Sequence, residues 1–324
     1  MKGPFYDGGE VDAQPVRTPS AMNGAYQKNM LWNGQFGATG ANLGYEEQFT
    51  KDTPKETNNL GYEGLEIQAI AGLGVHRLDV SEDLLSELGY KDMFDEVFSD
   101  FEENERYSKE TAGLAIAAYE RTLLANQAPF QKWLKGDKSA MTDSEKRGAI
   151  LFFNKAECVA CHTGPALNTN EFYALGMKNL DKCPEEVFNS NPMSEGNLGR
   201  GGFTGDERDN FKFKVPQLYN LTDSPFFGHG SSLRSIRKVI EYKNLAIPEN
   251  NTVPLEQLAF GFVPLGLTQA EIDDLTAFVK NSLYDPNLER YQPEEVNSGK
   301  CIPVGRLQEY ISLNSLLLVD TFQG

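Results

Sequence analysis

The sequence predicts a mainly α-helical protein of two domains with long loops. Apolar residues recur at helical spacing in several segments, and no region shows the alternation typical of a sheet. Gly- and Pro-rich stretches separate the helical segments. Because the chain has 324 residues, it is longer than most single domains. We expect the boundary in the connector at 127–142, which contains Pro129 and Gly136.

The first half begins irregularly and then becomes helical. Residues 1–62 are rich in Gly, Asn, Thr and Pro, which predicts loop with short helical pieces. A helix is expected over 81–98, because Ser81 and an acidic first turn form an N-terminal cap. A more apolar helix is expected over 109–125, and its composition predicts a place in a core.

The second half has fewer helical segments and longer loops. The motif T-D-S-E at 142–145 predicts the start of a helix that runs towards a cysteine pair. Residues 165–230 lack periodicity. Helices are predicted over 232–242 and 268–283, the second with the capping box T-Q-A-E, and the tail from 284 is loop-like.

Charge and hydropathy exclude some classes of protein. The formal net charge is −17, so nucleic acid, whose phosphates need clustered Lys and Arg, is not expected as a partner. The same charge would favour a basic protein partner. No run of about 18 apolar residues occurs, which predicts no membrane span. The first residues show no apolar signal region, so we expect a cytoplasmic, processed or shortened chain.

The segment A-E-C-V-A-C-H-T-G-P contains the motif Cys158-x-x-Cys161-His162. Two thiols at this spacing can bond covalently to a haem, and the following imidazole can bind its iron, so the motif predicts a c-type haem site. A zinc knuckle needs further ligand pairs, and a thioredoxin-like site needs a βαβ context. Chance is the remaining alternative. Cys183 and Cys301 could form a disulfide in an oxidising compartment or stay as free thiols.

The flanking motifs are more specific. The runs E-K-R-G-A-I-L-F-F-N-K-A-E-C-V-A-C-H-T-G-P-A-L-N and F-K-V-P-Q-L-Y-N-L-T-D-S-P-F-F-G-H-G-S resemble bacterial di-haem cytochrome c peroxidases. That family includes the quinone-forming enzyme of methylamine dehydrogenase maturation. Upstream, R-T-P-S-A-M-N-G-A-Y-Q-K-N-M-L-W-N-G and A-G-L-A-I-A-A-Y-E-R-T-L-L-A-N-Q-A-P-F-Q-K-W-L-K-G-D are also similar to it. The resemblance covers residues 5–295.

The resemblance implies two cytochrome-c-like domains with one haem each. It assigns residues 1–130 to a peroxidatic N-terminal domain, 131–295 to a C-terminal domain that contains C-x-x-C-H, and 296–324 to a tail. In the family a first C-x-x-C-H precedes the F-x-D-G segment, whereas this sequence starts at M-K-G-P-F-Y-D-G-G-E. The N-terminal domain is therefore expected to be incomplete. We expect a truncated family member, and a mono-haem descendant is the other interpretation.

The resemblance makes His162 the proximal iron ligand and places Tyr242 at the sixth-ligand position. The family uses Met there in ordinary peroxidases and Tyr in the quinone-forming branch, and no Met lies between 194 and 324. A tyrosinate oxygen would favour ferric iron. The alternative is that Tyr242 is a core aromatic residue. His229 is a competing ligand, or a neighbour or propionate partner of the haem.

Two further features are implied between the haems. Trp32 matches a family tryptophan that shortens the path for electrons, although ordinary packing would also explain it. The family also holds calcium there, and the matching positions are Thr18, Asp223 and Pro225. Thr replaces the more usual Asn and is a weaker oxygen ligand, so calcium binding is an open expectation.

Peroxide cleavage needs an acid/base group beside an open haem position. The family uses a Glu there, and His76 occupies that place in this sequence. Imidazole can shuttle protons at neutral pH, but a structural histidine is the other interpretation. Gln68 matches a family position near the peroxidatic haem, where it would orient bound water.

These inferences predict a peroxidase-like oxidoreductase that reduces hydrogen peroxide with electrons from a small cytochrome c or copper protein. A mono-haem electron-transfer module and a Tyr-ligated oxidase of a partner protein are the alternatives. Since haem c is attached outside the cytoplasm, we expect a periplasmic location. A homodimer is compatible with the sequence, which does not determine the oligomeric state.

Overall fold

A computed structural model describes residues 16–180 and 191–299. Within these ranges the chain is mainly helical, which confirms the predicted fold class. The α-helices are α1 (Gly64–Val75), α2 (Glu82–Glu87), α3 (Lys91–Val97), α4 (Lys109–Glu120), α5 (Pro129–Leu134), α6 (Asp143–Phe153), α7 (Glu195–Leu198), α8 (Arg200–Thr204), α9 (Ile236–Leu245) and α10 (Gln269–Ala277). Short 3-10 turns and loops join them, as expected for the irregular first 62 residues. No helix of the described part is long and apolar enough to cross a membrane.

The described strands form one small ribbon. Strand β1 (Phe172–Tyr173) pairs antiparallel with β2 (Phe213–Lys214), so that Phe172 lies opposite Lys214. This ribbon joins two segments of the long irregular region that follows the C-x-x-C-H motif. Cys183 and Cys301 lie outside the described residues, so their pairing stays a prediction.

Helices α6 and α10 cross closely and form the framework of the second half. Both helices begin with a capping box, which was predicted at Thr268, while a helix start was predicted at Thr142. In each box the Thr hydroxyl accepts from the backbone N–H three residues later. At the crossing, a Cβ on Gly148 would lie 2.0 Å from the Asp274 carbonyl oxygen. Since only glycine permits this approach, the end of α6 and the cysteine motif after it are held against α10.

The prediction of one helix over 81–98 was wrong in one respect. Ser81 does cap the segment, since its hydroxyl accepts from the Leu84 N–H. The helix stops at Glu87, however, and α3 starts again at Lys91. Gly89 adopts a positive φ of 75° between them, a conformation that ends helices because glycine lacks the steric penalty of other residues.

Other predicted helix ends differ by a few residues. The helix predicted over 109–125 ends at Glu120, and the one predicted over 232–242 is α9, which starts after the Ser235 cap and runs to Leu245. The helix predicted over 268–283 continues from α10 into a π-helical turn over Phe278–Ser282. The predicted connector contains α5, which begins with Pro129 at its first position.

The buried apolar residues fall into one large and two small clusters. The large cluster extends from Ala125 to Leu283 and includes the packed faces of α6, α9 and α10. One small cluster lies in the first half, where α1 packs on α4 and an added Cβ on Gly113 would lie 2.4 Å from Ile70. The large cluster also includes Ala125, Ala128 and Phe130 from the predicted first domain, and the domain boundary stays a prediction.

Candidate functional site

The C-x-x-C-H residues lie on one tight turn after α6. Residues Cys158–Ala160 form a 3-10 turn, and the His162 N–H donates to the Cys158 carbonyl at 2.8 Å. Glu157 enters the turn with a positive φ of 50°. The turn therefore holds two thiols and one imidazole close together, as a haem c attachment site requires.

Both thiols are held in the neutral form. Burial raises the pKa of Cys158 to about 11 and also raises the pKa of Cys161. No group of three or more His, Cys, Asp or Glu side chains among the described residues could hold a metal ion. Within that part of the chain the cysteine pair therefore lacks the further ligands that a zinc knuckle needs.

The imidazole of His162 is oriented to offer one nitrogen. Its Nδ1 lies 2.9 Å from the Leu167 carbonyl oxygen, to which a protonated Nδ1 donates, so the lone pair is left on Nε2. Part of the ring faces an open cavity, while protein surrounds the remainder. This burial lowers the pKa of His162 to about 4, and the ring is neutral at physiological pH. A neutral imidazole with a free Nε2 can bind iron.

A cavity of about 340 Å³ opens beside the turn. Cys158, Cys161 and His162 all line it, and its size falls in the range of small-molecule and cofactor sites. The wall is mostly apolar and includes Phe152, Leu175, Phe227, Ile236, Ile240 and Leu275. Two neutral thiols, one neutral imidazole and an apolar wall fit a covalently attached haem c.

Trp32 and His229 lie on the wall of the same cavity. Trp32 is buried, and its indole N–H donates to the Arg17 carbonyl at 2.7 Å. His229 stacks on Phe213 with ring centroids 3.6 Å apart, and its Nε2 bonds Asn179 Oδ1 at 2.9 Å. Burial lowers the pKa of His229 to about 3. The structure thus brings both predicted residues to the cysteine site. One of the two ring nitrogens of His229, Nε2, is already in a hydrogen bond.

Comparison with known proteins points to one family. Residues 2–139 match the family model described as di-haem cytochrome c peroxidase. The methylamine utilization protein MauG of Methylophilus methylotrophus is 29% identical over 271 residues, which cover 82% of this chain and 67% of that protein. The chain is therefore similar to di-haem cytochrome c peroxidases and to MauG.

Other relatives are named cytochrome c peroxidases. Cytochrome-c peroxidase IdrP1 of Denitromonas iodatirespirans is 32% identical over 186 residues, covering 51% of this chain and 48% of that protein. Cytochrome c peroxidase Ccp of Escherichia coli (strain K12) is 30% identical over 192 residues, which cover 57% of this chain and 36% of that protein. The chain therefore spans about two thirds of the MauG relative and less than half of these peroxidases.

A solved structure shows the same fold. A MauG-like protein associated with microbial copper homeostasis is 21% identical and superposes with a TM-score of 0.57, covering 85% of this chain and 77% of that one. The described part of the chain therefore shares the helical fold of that structure.

Gln68 and His76 are placed away from the cavity of the cysteines, on α1. Gln68 is half-buried, and its Oε1 is a buried acceptor without a hydrogen-bond partner in the described structure. His76 is exposed and caps the C-terminal end of the helix, where its backbone N–H donates to the Gly72 carbonyl at 2.9 Å. Eight residues of helix separate the two by about 12 Å. Their proposed roles beside a peroxidatic haem stay predictions.

Tyr242 is buried on α9 but is absent from the cavity lining. Its hydroxyl donates to the Leu175 carbonyl at 2.5 Å, and burial raises the pKa of Tyr242. The next residue, Lys243, does line the cavity. Met177 lines it as well and lies before residues 194–324, the range that contains no methionine. Binding of Tyr242 to the iron as sixth ligand therefore stays a prediction. It would require the Tyr242 hydroxyl to give up its hydrogen bond to the Leu175 carbonyl.

The segments expected to hold calcium lie side by side. Arg17, next to Thr18, donates from Nη2 to Ser224 Oγ at 2.7 Å, and Ser224 lies between Asp223 and Pro225. Thr18, Asp223 and Pro225 are all exposed. The structure brings the segments together without testing the ion itself.

Sequence reasoning missed three cations on the cavity wall, Arg17, Lys214 and Lys243. Lys214 belongs to the motif F-K-V-P, which was recognisable, but nothing local indicates that the lysine is buried. Its Nζ bonds Gln27 and Asn29, which are 187 and 185 residues away in the chain. Only the tertiary fold reveals such a contact.

Proposed function

We propose that this protein is a peroxidase-like periplasmic oxidoreductase that reduces hydrogen peroxide with electrons from a small donor protein. The observation that supports this function best is that Trp32, from the first half of the chain, lies in the wall of the cavity built around Cys158 and His162. An aromatic side chain there connects the cysteine site with the half that would hold peroxide. The reaction consumes one H₂O₂, two electrons and two protons and yields two waters.

The residues of the second half would bind and orient the haem. Cys158 and Cys161 would each add their S–H across a vinyl group to form a thioether, and His162 would provide Nε2 to the iron. The Leu167 carbonyl keeps the imidazole in that orientation. When bound, the haem supplies one-electron redox chemistry, and the apolar wall keeps water from it.

The first half would handle peroxide and protons. His76 is exposed at the end of α1, where it can exchange protons with solvent and pass them between the peroxide oxygens. The unpartnered Oε1 of Gln68 can accept a hydrogen bond from peroxide or water. Two haems, as in the family, are part of this proposal; the printed sequence contains one C-x-x-C-H motif.

The partners follow from charge and from the adjoining segments. A net charge of −17 favours a basic electron donor, such as a small cytochrome c or copper protein. Calcium bound by Thr18, Asp223 and Pro225 would join the N-terminal segment to the loop before His229 and so fix the position of the Trp32 wall. Calcium removal with a chelator should then alter the haem spectrum.

A second candidate function is oxidation of a partner protein. Two relatives named MauG align with 82% and 84% of this chain, at 29% and 27% identity. In this function Tyr242 would bind the iron. The Tyr242→Phe variant should then change the ferric haem spectrum, while Tyr219→Phe, another buried tyrosine, should not. An unchanged Tyr242→Phe spectrum rejects Tyr242 as ligand.

The test of the main proposal uses the full chain matured by a c-type haem system. A pyridine haemochrome assay with intact mass counts the haems, and peroxide consumption is followed with a reduced basic cytochrome c. Peroxide-dependent oxidation of the donor supports the peroxidase function. One haem without peroxide consumption would make the chain an electron-transfer module, and absence of covalent haem would reject all three functions.

A further inference from the structure

The wall of the cavity carries two cations that are supplied by distant parts of the chain. Arg17 comes from the N-terminal segment and Lys214 from β2. Both are tied to Trp32 through the backbone, because the indole N–H donates to the Arg17 carbonyl and the Lys214 N–H donates to the Trp32 carbonyl, each at 2.7 Å. They therefore lie on the same side of the cavity.

Neither cation has a carboxylate partner among the described residues. Lys214 Nζ donates to Gln27 Oε1 and to the Asn29 carbonyl, both at 2.5 Å, and an ammonium has a third N–H to donate. Arg17 donates a side-chain hydrogen bond to Ser224 Oγ. Burial lowers the pKa of Lys214 to about 7 and also lowers the pKa of Arg17.

A buried cation without an anion is unusual, because removal from water costs more than neutral hydrogen bonds return. Lys214 is only 5% exposed. Glu157 is the one carboxylate that lines the cavity in the described part of the chain, and it sits at the cysteine turn. The occupant of the cavity must therefore supply the negative charge at the Trp32 side.

The position of the cations relative to the thiols specifies which part of a haem they would meet. A haem c forms its thioethers along one edge of the macrocycle and carries its two propionates on the opposite edge. Lys243, on α9, is the cavity cation that interacts electrostatically with Cys158 and Cys161. Arg17 and Lys214 are instead tied by backbone hydrogen bonds to Trp32, so they belong to the side of the cavity that Trp32 forms.

We propose that Arg17 and Lys214 bind the two propionate carboxylates of the haem attached at Cys158 and Cys161. The proposal rests on haem c as the occupant of the cavity, but not on peroxide as substrate. Its consequence is that haem binding joins the N-terminal segment to β2 and holds Trp32 between the two anchors.

The test is resonance Raman spectroscopy of the holoprotein, because the low-frequency bending bands of haem propionates respond to their hydrogen bonds. Lys214→Gln should shift one propionate band and Arg17→Gln the other. Lys212→Gln is the matched control, since Lys212 lies two residues away and pairs with Asp209 instead. Lys243→Gln controls for loss of a cation at the thioether edge, and neither control should shift these bands.

Unchanged propionate bands in both Lys214→Gln and Arg17→Gln, at full haem content, would overturn the proposal. Should either variant fail to take up haem, a crystal structure of the wild-type holoprotein decides: propionate oxygens within hydrogen-bond distance of Lys214 Nζ and the Arg17 guanidinium support the assignment, and propionates directed at Lys243 or at solvent contradict it. A normal haem content without peroxide turnover would reject the peroxidase function and leave this test intact.

Discussion

The two halves of the chain differ in how completely they enclose a reactive group. In the second half, His162 is fixed by the Leu167 carbonyl on a turn that follows α6, and a large apolar cluster supports that helix. In the first half, His76 lies exposed at the end of α1, above a small cluster. A site enclosed by packed helices is largely pre-formed, whereas a site at a helix end requires further groups to enclose it.

The two sites also differ in the hydrogen bonds of their own residues. The C-x-x-C-H imidazole is paired with the Leu167 carbonyl, while Gln68 Oε1 and Glu66 Oε2 in α1 are buried without hydrogen-bond partners in the described structure. Because an unpaired buried oxygen costs about 1–3 kcal/mol, a polar molecule that donates to these oxygens would stabilise α1. Unpartnered buried atoms also occur in the second half, at Asn168 and Ser282, so the difference concerns the two sites and not the two halves as a whole.

The largest effect is expected from the cysteines. A Cys158→Ala/Cys161→Ala variant should lose covalent haem and reduce donor-dependent peroxide consumption to background, because no thioether can form. The Cys183→Ala variant, outside the motif, is the control and should keep both. Donor-dependent turnover that survives the double change would show that the peroxidase chemistry does not need this site.

Because His76 is exposed, its replacement is expected to change the rate of peroxide consumption but not the stability of the fold. His76→Ala should lower the peroxide consumption rate on the order of 100-fold, because a general acid/base is lost. It should change the free energy of unfolding by less than about 0.5 kcal/mol, because the side chain is exposed. Asp79→Ala, a nearby exposed change, should affect neither. A His76→Ala enzyme with unaltered rate would assign the residue a structural role.

The scaffolds of the halves should respond oppositely to an added methyl group. Gly148→Ala forces a Cβ against the Asp274 carbonyl and should lower the free energy of unfolding by about 2–3 kcal/mol. Gly72→Ala in α1 meets nothing within 4 Å and should raise it by up to about 1 kcal/mol, since alanine favours the helix. Urea denaturation measures both, and equal effects would remove the proposed difference in packing.

The buried His229 predicts a pH-dependent stability. Its folded pKa of about 3 lies below the unfolded value, so the unfolded chain binds the extra proton as pH falls. Stability is therefore lost from about pH 6.5 downwards, with a slope that approaches about 1.4 kcal/mol per pH unit. The His229→Gln variant should have a flatter curve between pH 4 and about 6.5 in urea titrations. Identical slopes would show that His229 is protonated in the folded state.

Local sequence signals predicted the framework better than the cavity. The helix start at Thr142 and the capping box at Thr268 were predicted because the partners of each cap lie three residues away. The break at Gly89 was missed because helical periodicity continues across it. The C-x-x-C-H spacing located Cys158 and His162.

The polar part of the cavity could not be predicted, because it depends on tertiary contacts. Lys214 donates a hydrogen bond to Gln27, which is nearly two hundred residues away in the chain. Met177 lines the cavity although it lies before residues 194–324, the range considered for a methionine ligand. The position of Tyr242 illustrates the same limit. Counting residues places it on α9, but only the fold shows its hydroxyl on the Leu175 carbonyl.

The most direct measurement is tandem mass spectrometry of peptides from the full chain after c-type haem maturation. If the second half forms a haem c site around Cys158, Cys161 and His162, the peptide that contains A-E-C-V-A-C-H should carry one added haem mass. Both of its thiols should be thioethers. The same peptide recovered with two unmodified thiols, after successful maturation of a control cytochrome in the same cells, would contradict it.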